Sequence, residues 1–384
     1  MKKYNVVLAL IAILLGVSSC KKEEVVVQTT KDYPITLWSN NDSKASIKPT
    51  QNGYQAVVNH ELGDHIYLAY KGYCNNSNVR VSGIINNNYK FDGKLYVNNK
   101  QSEIPGDSPL FFYFLGGVYL KDEKNNVDEM AFFTEYSLNP SGNYYSDTTA
   151  VCVSLQNSKD QNEGNNKANH SPVLCFGRSN KDFSVDDKEY HTTFQNKCSL
   201  VKYSLKGNKN GETIPYDARV YIQGLNNVVK VDFKVAYNKY HKIEYTPLEE
   251  GYDDDGFKFL KRQGKIQEGC SPTGRPMTIT NIIIPNRDKN NECYSILLPQ
   301  KNVGKGDGNE LFGYYFKKSA NGEYIMDANK KCVPTYLKVH FPYDNVVTNK
   351  YYECTIEVDE DQEAAHHPDI IDYPYDAKPL TKLL

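Results

Sequence analysis

The chain has 384 residues, with 45 Lys and Arg against 47 Asp and Glu, which gives a formal net charge of −2. That balance argues against nucleic acid as a partner, because nucleic-acid-binding proteins gather a basic surplus on one face. Hydrophobic residues make up 39% of the chain and the mean hydropathy is −0.63, which indicates a water-exposed chain after the first twenty residues. The 31 Tyr, 15 Phe, single Trp and 4 Met favour a β protein over a helical one.

The N-terminus has the features of an export signal. Lys2 and Lys3 supply positive charge, and residues 6–17 form an apolar run of twelve. Such a run is too short for a bilayer core of roughly 30 Å, which needs about 20 apolar residues, but it fits a secretory signal. We therefore predict a signal peptide over residues 1–19. No second apolar stretch approaches spanning length, so we expect that membrane attachment depends on a lipid alone.

Small residues lead to a cysteine at the end of this signal, in the order Val17-Ser18-Ser19-Cys20. This order resembles the lipobox of bacterial lipoproteins, which implies that the Cys20 thiol receives a diacylglycerol and becomes the new N-terminus. An ordinary signal peptide with a chance cysteine is the alternative. The next residues, Lys21, Lys22, Glu23 and Glu24, resemble the lipoprotein export signal of Bacteroidetes. The resemblance implies a lipid anchor in the outer membrane, and the extracellular face is favoured over the periplasmic one. Residues 20–32 would then form a lipidated polar tether.

The remaining cysteines predict a disulfide framework, because eight is an even number and the chain is exported. The candidates are Cys74, Cys152, Cys175, Cys198, Cys270, Cys293, Cys332 and Cys354. Sequence leaves their connectivity open, and buried free thiols are the alternative. No pair has CxxC spacing, so we expect neither a zinc knuckle nor a thioredoxin-like redox site.

Short segments of alternating or continuous apolar residues recur along the chain, bounded by Asn, Gly, Asp and Pro. The clearest strand candidates are residues 65–70, 94–97, 150–155, 218–222, 229–235 and 337–341. Turns are predicted at residues 86–88, 139–142, 210–211 and 321–322. No segment of twelve or more residues has a convincing helical period. The pattern predicts an all-β fold of two β-sandwich-like domains with long Asn- and Gly-rich loops.

One polar stretch over residues 156–170 divides the chain, with one Gly, no aromatic residue and almost no apolar one. Such a composition cannot bury enough surface to become ordered by itself. We therefore predict a linker or loop at residues 157–170, between β domains at 33–156 and 171–384. A shorter polar stretch at residues 206–212 is a rival boundary.

Residues 110–120 form the most apolar segment of the mature chain, and a central strand buried on both faces is favoured over an aromatic ligand wall. The acidic run at residues 249–256 has five carboxylates but lacks the alternating order of a calcium loop, which favours a solvated turn. His60 and His65 miss the HExxH spacing, and the pair at His366 and His367 is a weak candidate for metal or haem ligation. We predict no metal and no cofactor.

The chain has no GxSxG elbow, P-loop or dinucleotide-binding fingerprint, which favours a binding protein over an enzyme and leaves no catalytic residue to name. A glycosidase remains open, because it needs only two carboxylates at the right separation. Tyrosines can stack on sugar rings, although the single Trp38 lies close to the tether. Residues 147–149 resemble the short O-glycosylation signature of Bacteroidetes.

The sequence favours a lipid-anchored surface protein that captures a glycan or another nutrient. Delivery to an outer-membrane transporter is implied only by what such lipoproteins commonly do. Three alternatives stay open: a fimbrial or structural subunit, a host-adhesion protein and a surface hydrolase. The fimbrial alternative is supported by a resemblance in length and in two-sandwich organisation to the pilins of Bacteroidetes.

Overall fold

The computed structural model describes residues 31–39, 48–50, 53–55, 65–74, 77–86, 88–115, 132–136, 150–155, 174–215, 218, 220–247, 250–261, 281–283, 290–305 and 310–361. Strands dominate these residues, and the two helices are short. The all-β class predicted from the sequence is therefore confirmed, with the sheets arranged like a sandwich. Within these ranges, no helix has the length and apolar character needed to cross a bilayer.

The first sheet has eight strands, in a mixed arrangement. They are β1 (Lys31–Ser39), β4 (His65–Ala69), β5 (Asn78–Ile85), β6 (Asn88–Val97), β7 (Pro109–Leu115), β10 (Leu174–Asp182), β11 (Glu189–Thr192) and β12 (Gln195–Asn196). Their spatial order is β11-β1-β6-β5-β4-β7-β10-β12. β1 pairs antiparallel with β6 along its whole length and parallel with β11. Helix α1 (Asn99–Glu103) follows β6 and begins with a capping box at Asn98.

Two further sheets complete the fold. A four-stranded sheet contains β8 (Phe132–Tyr136), β9 (Ala150–Leu155), β15 (Val228–Asp232) and β16 (Phe257–Leu260), in the order β16-β15-β9-β8. A seven-stranded sheet contains β13 (Ser199–Lys206), β14 (Val220–Gln223), β17 (Asn281–Ile283), β18 (Glu292–Leu297), β19 (Phe312–Phe316), β20 (Pro334–His340) and β21 (Tyr351–Val358), in the order β17-β14-β19-β20-β21-β13-β18. Helix α2 (Phe233–His241) follows β15, and β2 (Lys48–Thr50) pairs with β3 (Gly53–Gln55).

The first hydrophobic core lies between the eight-stranded and four-stranded sheets and includes α2. Tyr113 of β7 is its centre, with its ring 5.0 Å from that of Phe233 and 5.6 Å from that of Phe257. All seven residues of β7 are buried. The predicted central strand is therefore confirmed for residues 110–115, and residues 116–120 lie outside the described part.

The seven-stranded sheet has buried side chains on both faces. One face carries Val201, Tyr203, Leu337 and Ile356, together with other aliphatic residues. The other carries an aromatic cluster in which the rings of Tyr221 and Tyr314 stack at 5.0 Å with an angle of 11°. Such burial on two faces explains why apolar runs, and not only alternation, mark these strands.

The predicted strands agree with the structure to within a few residues, and one of them runs into a helix. Residues 150–155 are β9, and the candidates at 65–70, 94–97, 218–222 and 337–341 overlap β4, β6, β14 and β20. The strand predicted over residues 229–235 is wrong after Asp232, where α2 begins. The reason is the cap, since the Asp232 side chain accepts a hydrogen bond from Lys234 N at 2.9 Å. Asn86, Gly211 and Gly322 have positive φ, which confirms three predicted turns.

The chain passes from β9 in the four-stranded sheet to β10 in the eight-stranded sheet across residues 157–170. β10, which follows them, pairs with β7 in the first sheet. The chain moves to the seven-stranded sheet after β12 and returns to the four-stranded sheet at β15 and β16. Long-range pairing of this kind has no local sequence signal, so the predicted domain limits stay a prediction.

Candidate ligand-binding groove

The two ends of the eight-stranded sheet meet around residues 189–196. β11 lies at one end of this segment and pairs with β1, whereas β12 lies at the other end and pairs with β10. Side chains join β10 to β11, because Thr192 Oγ1 donates to Arg178 O at 2.9 Å and His191 N donates to Asn180 Oδ1 at 3.0 Å. This junction forms the floor of an open groove.

A bulge in β10 shapes the groove. The register between β10 and β7 breaks between Arg178 and Asp182. Ser179 Oγ fills the gap by accepting from Leu110 N at 2.8 Å and donating to Lys181 O at 2.6 Å. Bulges redirect neighbouring side chains, and Arg178 and Asn180 on either side of Ser179 are exposed and line the groove.

Gly177 allows the floor to be close-packed. A Cβ at this position would lie 2.5 Å from Thr192 Oγ1 and 3.1 Å from the Phe194 ring. The groove above has a volume of about 540 Å³, and its lining includes Arg178, Asn180, His191, Thr193, Gln195 and Tyr240. We call it the Arg178 groove. Its polar lining favours a ligand that forms hydrogen bonds over an apolar one.

Arg178 is fixed in this groove by an aromatic ring. Its guanidinium carbon lies 4.7 Å from the ring centroid of Tyr240, which belongs to α2 and is 41% exposed. The Tyr240 ring in turn meets Phe111 edge-on, at 6.3 Å and 78°. Among the described residues, no carboxylate forms an ion pair with Arg178. The positive charge is therefore positioned by the fold but not neutralised by these residues.

Lys197 lies beside the groove, and its positive charge is paired with two carboxylates. Its Nζ lies 2.9 Å from Asp253 Oδ2 and 2.5 Å from Asp255 Oδ2, and 5.2 Å from the Phe257 ring centroid. Burial lowers the pKa of Lys197, but hydrogen bonds and charge from the two carboxylates outweigh it and leave that pKa raised. The acidic run is a turn, as predicted, but Asp253 and Asp255 form ion pairs with Lys197 and are only partly exposed to solvent. Asp254 is exposed.

The groove offers a charge and hydrogen-bonding groups to a ligand. Asp255, which lines it, is engaged by the Lys197 ammonium, so it is held as an ion-pair partner. Lys181 is likewise paired, with its Nζ 2.9 Å from Asp187 Oδ2. The groups left for a ligand are the Arg178 guanidinium, the amide, imidazole and hydroxyl groups around it, and the Asp182 carboxylate, which also lines the groove.

The disulfides expected from the sequence are not formed between any of the described cysteines. Cys74, Cys175, Cys198 and Cys354 are buried free thiols, and burial raises the pKa of Cys74, Cys198 and Cys354 to about 12. Cys293 and Cys332 are also buried. These cysteines serve as small core side chains. The side chains of Cys152 and Cys270 lie outside the described part.

The register of the seven-stranded sheet explains why Cys293 and Cys354, which lie on strands near each other, cannot form a disulfide. Cys293 and Cys354 both lie opposite Tyr203, on the strands either side of it. Two strand spacings separate their Cα atoms by roughly 9–10 Å, whereas a disulfide needs Cα atoms within about 7 Å. Tyr203 therefore keeps the two sulfurs apart.

The other predicted site residues are not brought to the groove. His65 lies in β4. The lipidation site Cys20 and the export signal at Lys21, Lys22, Glu23 and Glu24 fall outside the described residues, as do His60, His366, His367 and residues 147–149. They remain predictions. Arg178, Asn180 and Tyr240 were not predicted from the sequence. The local signal that could have indicated one of them is Asp232, which caps the helix that carries Tyr240.

Comparison with known proteins gives only distant likenesses. No family model and no curated protein matches the chain. It is similar to the solved structure of a candidate cell adhesion protein from Bacteroides ovatus, with 12% identity and a TM-score of 0.36, over 85% of this chain and 92% of that one. A candidate cell adhesion protein from Bacteroides uniformis gives 11% identity and a TM-score of 0.33, over 85% and 93%. The tip fimbrial protein Mfa3 from Porphyromonas gingivalis, with a C-terminal truncation, gives 11% and 0.27, over 86% and 96%. TM-scores this low assign neither function nor family.

Proposed function

We propose that the chain is a lipid-anchored adhesion protein of the cell surface that binds its ligand through the Arg178 groove. One observation carries the proposal: Arg178 is held over Tyr240 in an open groove and has no ion-pair partner among the described residues. Largely buried charges are balanced by neighbours, as Lys197 is here. A fixed and unbalanced charge suits recognition of an outside partner.

The groove is built on regular elements, which suits binding. Its walls come from β10, β11 and α2, and these elements are anchored in the core through Phe176, Tyr190 and Phe233. A site on rigid elements loses little conformational freedom when a ligand binds, so more of the interaction energy appears as affinity.

The anchor part of the proposal comes from the sequence, through Cys20 and the four residues after it. Adhesion is also the kind of role given to the Bacteroides proteins named above. Nutrient capture for an outer-membrane transporter and surface hydrolysis stay second predictions for the same groove. Co-purification with a transporter would favour the first, and turnover of a bound glycan would favour the second.

The test uses the full chain expressed in a Bacteroidetes host, as wild type and as Cys20→Ala. We expect wild type to incorporate a palmitate probe, to be cleaved by protease added to intact cells, and to increase cell adhesion to a surface coated with mixed glycans and matrix proteins. Cys20→Ala should lose the lipid and the adhesion. Protease protection on intact cells, or adhesion that does not depend on the chain, would overturn the proposal.

A fimbrial subunit is the second candidate, favoured by one feature of the sheets. Among the described residues, β18 pairs only with β13 and leaves its other edge open. An open edge can accept a strand from another chain. Leu205 N donates to Asn291 O, so the odd-numbered residues of β18 bond to β13 and the Tyr294 N–H faces the open edge. Polymers of the purified full chain, seen by electron microscopy and lost when proline replaces Tyr294 in β18, would support this candidate, and a monodisperse monomer would oppose it.

A further inference from the structure

We propose that the Arg178 groove binds the carboxylate of an acidic sugar unit within a polysaccharide. This inference rests on the adhesive function proposed above and names the chemical class of its ligand. It is argued from the charge at Arg178, from the way that charge is held, and from the groups around it.

Among the described residues that line the groove, the guanidinium of Arg178 is the available positive charge. Lys181 is engaged by Asp187 at 2.9 Å, and Lys197 by two aspartates. Arg178 has no such partner among the described residues. Its planar fork of N–H donors matches the two oxygens of a carboxylate, which a point charge such as an ammonium does not.

Tyr240 holds the guanidinium ready for this contact. The guanidinium carbon lies over the ring at 4.7 Å, and a guanidinium carries five N–H donors, so this cation–π contact leaves donors for a ligand. Since Tyr240 is supported edge-on by the buried Phe111, the pair is held before any ligand arrives. Holding the side chain in advance reduces the entropy cost of binding.

The surrounding groups suit sugar hydroxyls. Asn180, His191, Thr193 and Gln195 are exposed in the groove and supply amide, imidazole and hydroxyl donors and acceptors. A peptide that binds tightly uses an apolar anchor in a desolvated pocket. This groove is open, its Phe176 is buried, and the exposed ring of Tyr240 is already in contact with Arg178. The lining therefore favours a saccharide over a peptide.

The acidic residues limit how much negative charge the ligand can carry. Asp182 and Asp255 also line the groove, and only Asp255 is paired with a lysine there. Asp182 would repel a densely charged chain. A polysaccharide whose acidic units alternate with neutral ones fits this balance better than a sulfated one.

The experiment compares two ligands that differ only in charge. The full chain in detergent is titrated calorimetrically with a hyaluronan oligosaccharide, in which uronic acid alternates with a neutral sugar, and with the same oligosaccharide after reduction of its carboxylates to alcohols. Polyglutamate is the third probe. We expect the reduced ligand to bind about tenfold more weakly or worse, and binding of the acidic one to weaken as salt is added.

Variants assign this effect to the groove. Arg178→Gln should weaken the acidic oligosaccharide about tenfold and leave the reduced one unchanged, and Arg178→Lys should recover part of the loss. Arg80→Gln is the matched control, because Arg80 is an exposed arginine of β5 that does not line the groove. Thermal unfolding of all variants should match wild type, since both arginines are exposed.

The results that would contradict the acidic-sugar proposal differ from those that would contradict the adhesive function. Equal binding of both oligosaccharides, unchanged binding by Arg178→Gln, or preference for polyglutamate would each overturn the acidic-sugar proposal. If neither oligosaccharide binds while intact cells still adhere, this proposal fails and the adhesive function stands. If cells do not adhere, the adhesive function itself fails.

Discussion

Lys197 and Asp255 join two sheets beside the groove, with Nζ 2.5 Å from Oδ2 although the residues are 58 positions apart in sequence. Lys197 follows β12 of the eight-stranded sheet, and Asp255 lies just before β16 of the four-stranded one. Asp253 strengthens the contact and also caps its own turn by accepting from Phe257 N at 2.8 Å. The Lys197 ammonium therefore binds two carboxylates of the acidic run, Asp253 and Asp255.

Replacing Lys197 with methionine should destabilise the chain by about 2 kcal/mol. The variant leaves two carboxylates without their cation, a change that costs about 3–5 kcal/mol in a fully buried pair but less here because Asp253 is 39% exposed. Urea unfolding of the full chain measures the difference. Lys239→Met is the control, since Lys239 and Asp254 form an exposed pair at 3.0 Å and its loss should cost less than about 0.5 kcal/mol. Equal losses in both variants would contradict the prediction.

Gly177→Ala should destabilise the chain by about 1–2 kcal/mol and lower affinity in the groove. The new methyl group would meet Thr192 Oγ1 at 2.5 Å, so the bond from Thr192 to Arg178 O must break or the segment must shift. Gly83→Ala provides the comparison, because nothing lies within 4 Å of a Cβ there. Both are read by thermal unfolding, and a neutral Gly177→Ala would show that the junction is loosely packed.

Asp92 should make stability depend on pH in the acid range. Burial raises its pKa, but hydrogen bonds from Lys90, Ser82 and Thr36 outweigh burial and leave the pKa lowered. A lowered folded-state pKa gives stability that is present above the unfolded value of 3.8 and lost as pH falls through the folded value.

The measurement is the urea midpoint of wild type and Asp92→Asn at pH 6 and pH 3. Wild type should lose more stability than the variant over this interval, because asparagine does not titrate. Ser82→Ala removes one donor, at 2.7 Å from Asp92 Oδ2, and should fall between them. Parallel losses in all three proteins would rule out this role for Asp92.

The buried thiols should resist alkylation until the chain unfolds. Thiolates are the reactive form, and burial raises the pKa of Cys74, Cys198 and Cys354 to about 12. Iodoacetamide at pH 8 should label these three, and Cys175, only in denaturant. Peptide mass spectrometry without reductant gives the count, and a disulfide-linked peptide containing any of the four would contradict the structure.

The sequence predicted the position of many strands along the chain, but it did not predict which strands pair with each other. Alternation located β15 and β20, and an unbroken apolar run located β7, because one or two buried faces leave a local pattern. The move from β12 to β13 and the return at β15 depend on pairing between distant residues. No local pattern records that pairing.

The groove escaped prediction for the same reason. Arg178 sits in a polar stretch of β10, and Tyr240 sits in a helix too short for its period to stand out. They become a pair only when α2 packs under β7 and β10. Asp253 and Asp255 were visible as an acidic run, but their partner Lys197 lies in another part of the sequence.

The position of β1 has a mechanical consequence. The chain enters the sheet at Lys31, and β1 is bonded on one side to β6 over its full length and on the other to β11. Ladder hydrogen bonds run across the strands, so tension applied at Lys31 along β1 loads them together in shear. Under tension applied at Lys31, the protein would resist extraction of β1 far better than if this strand separated one hydrogen bond at a time.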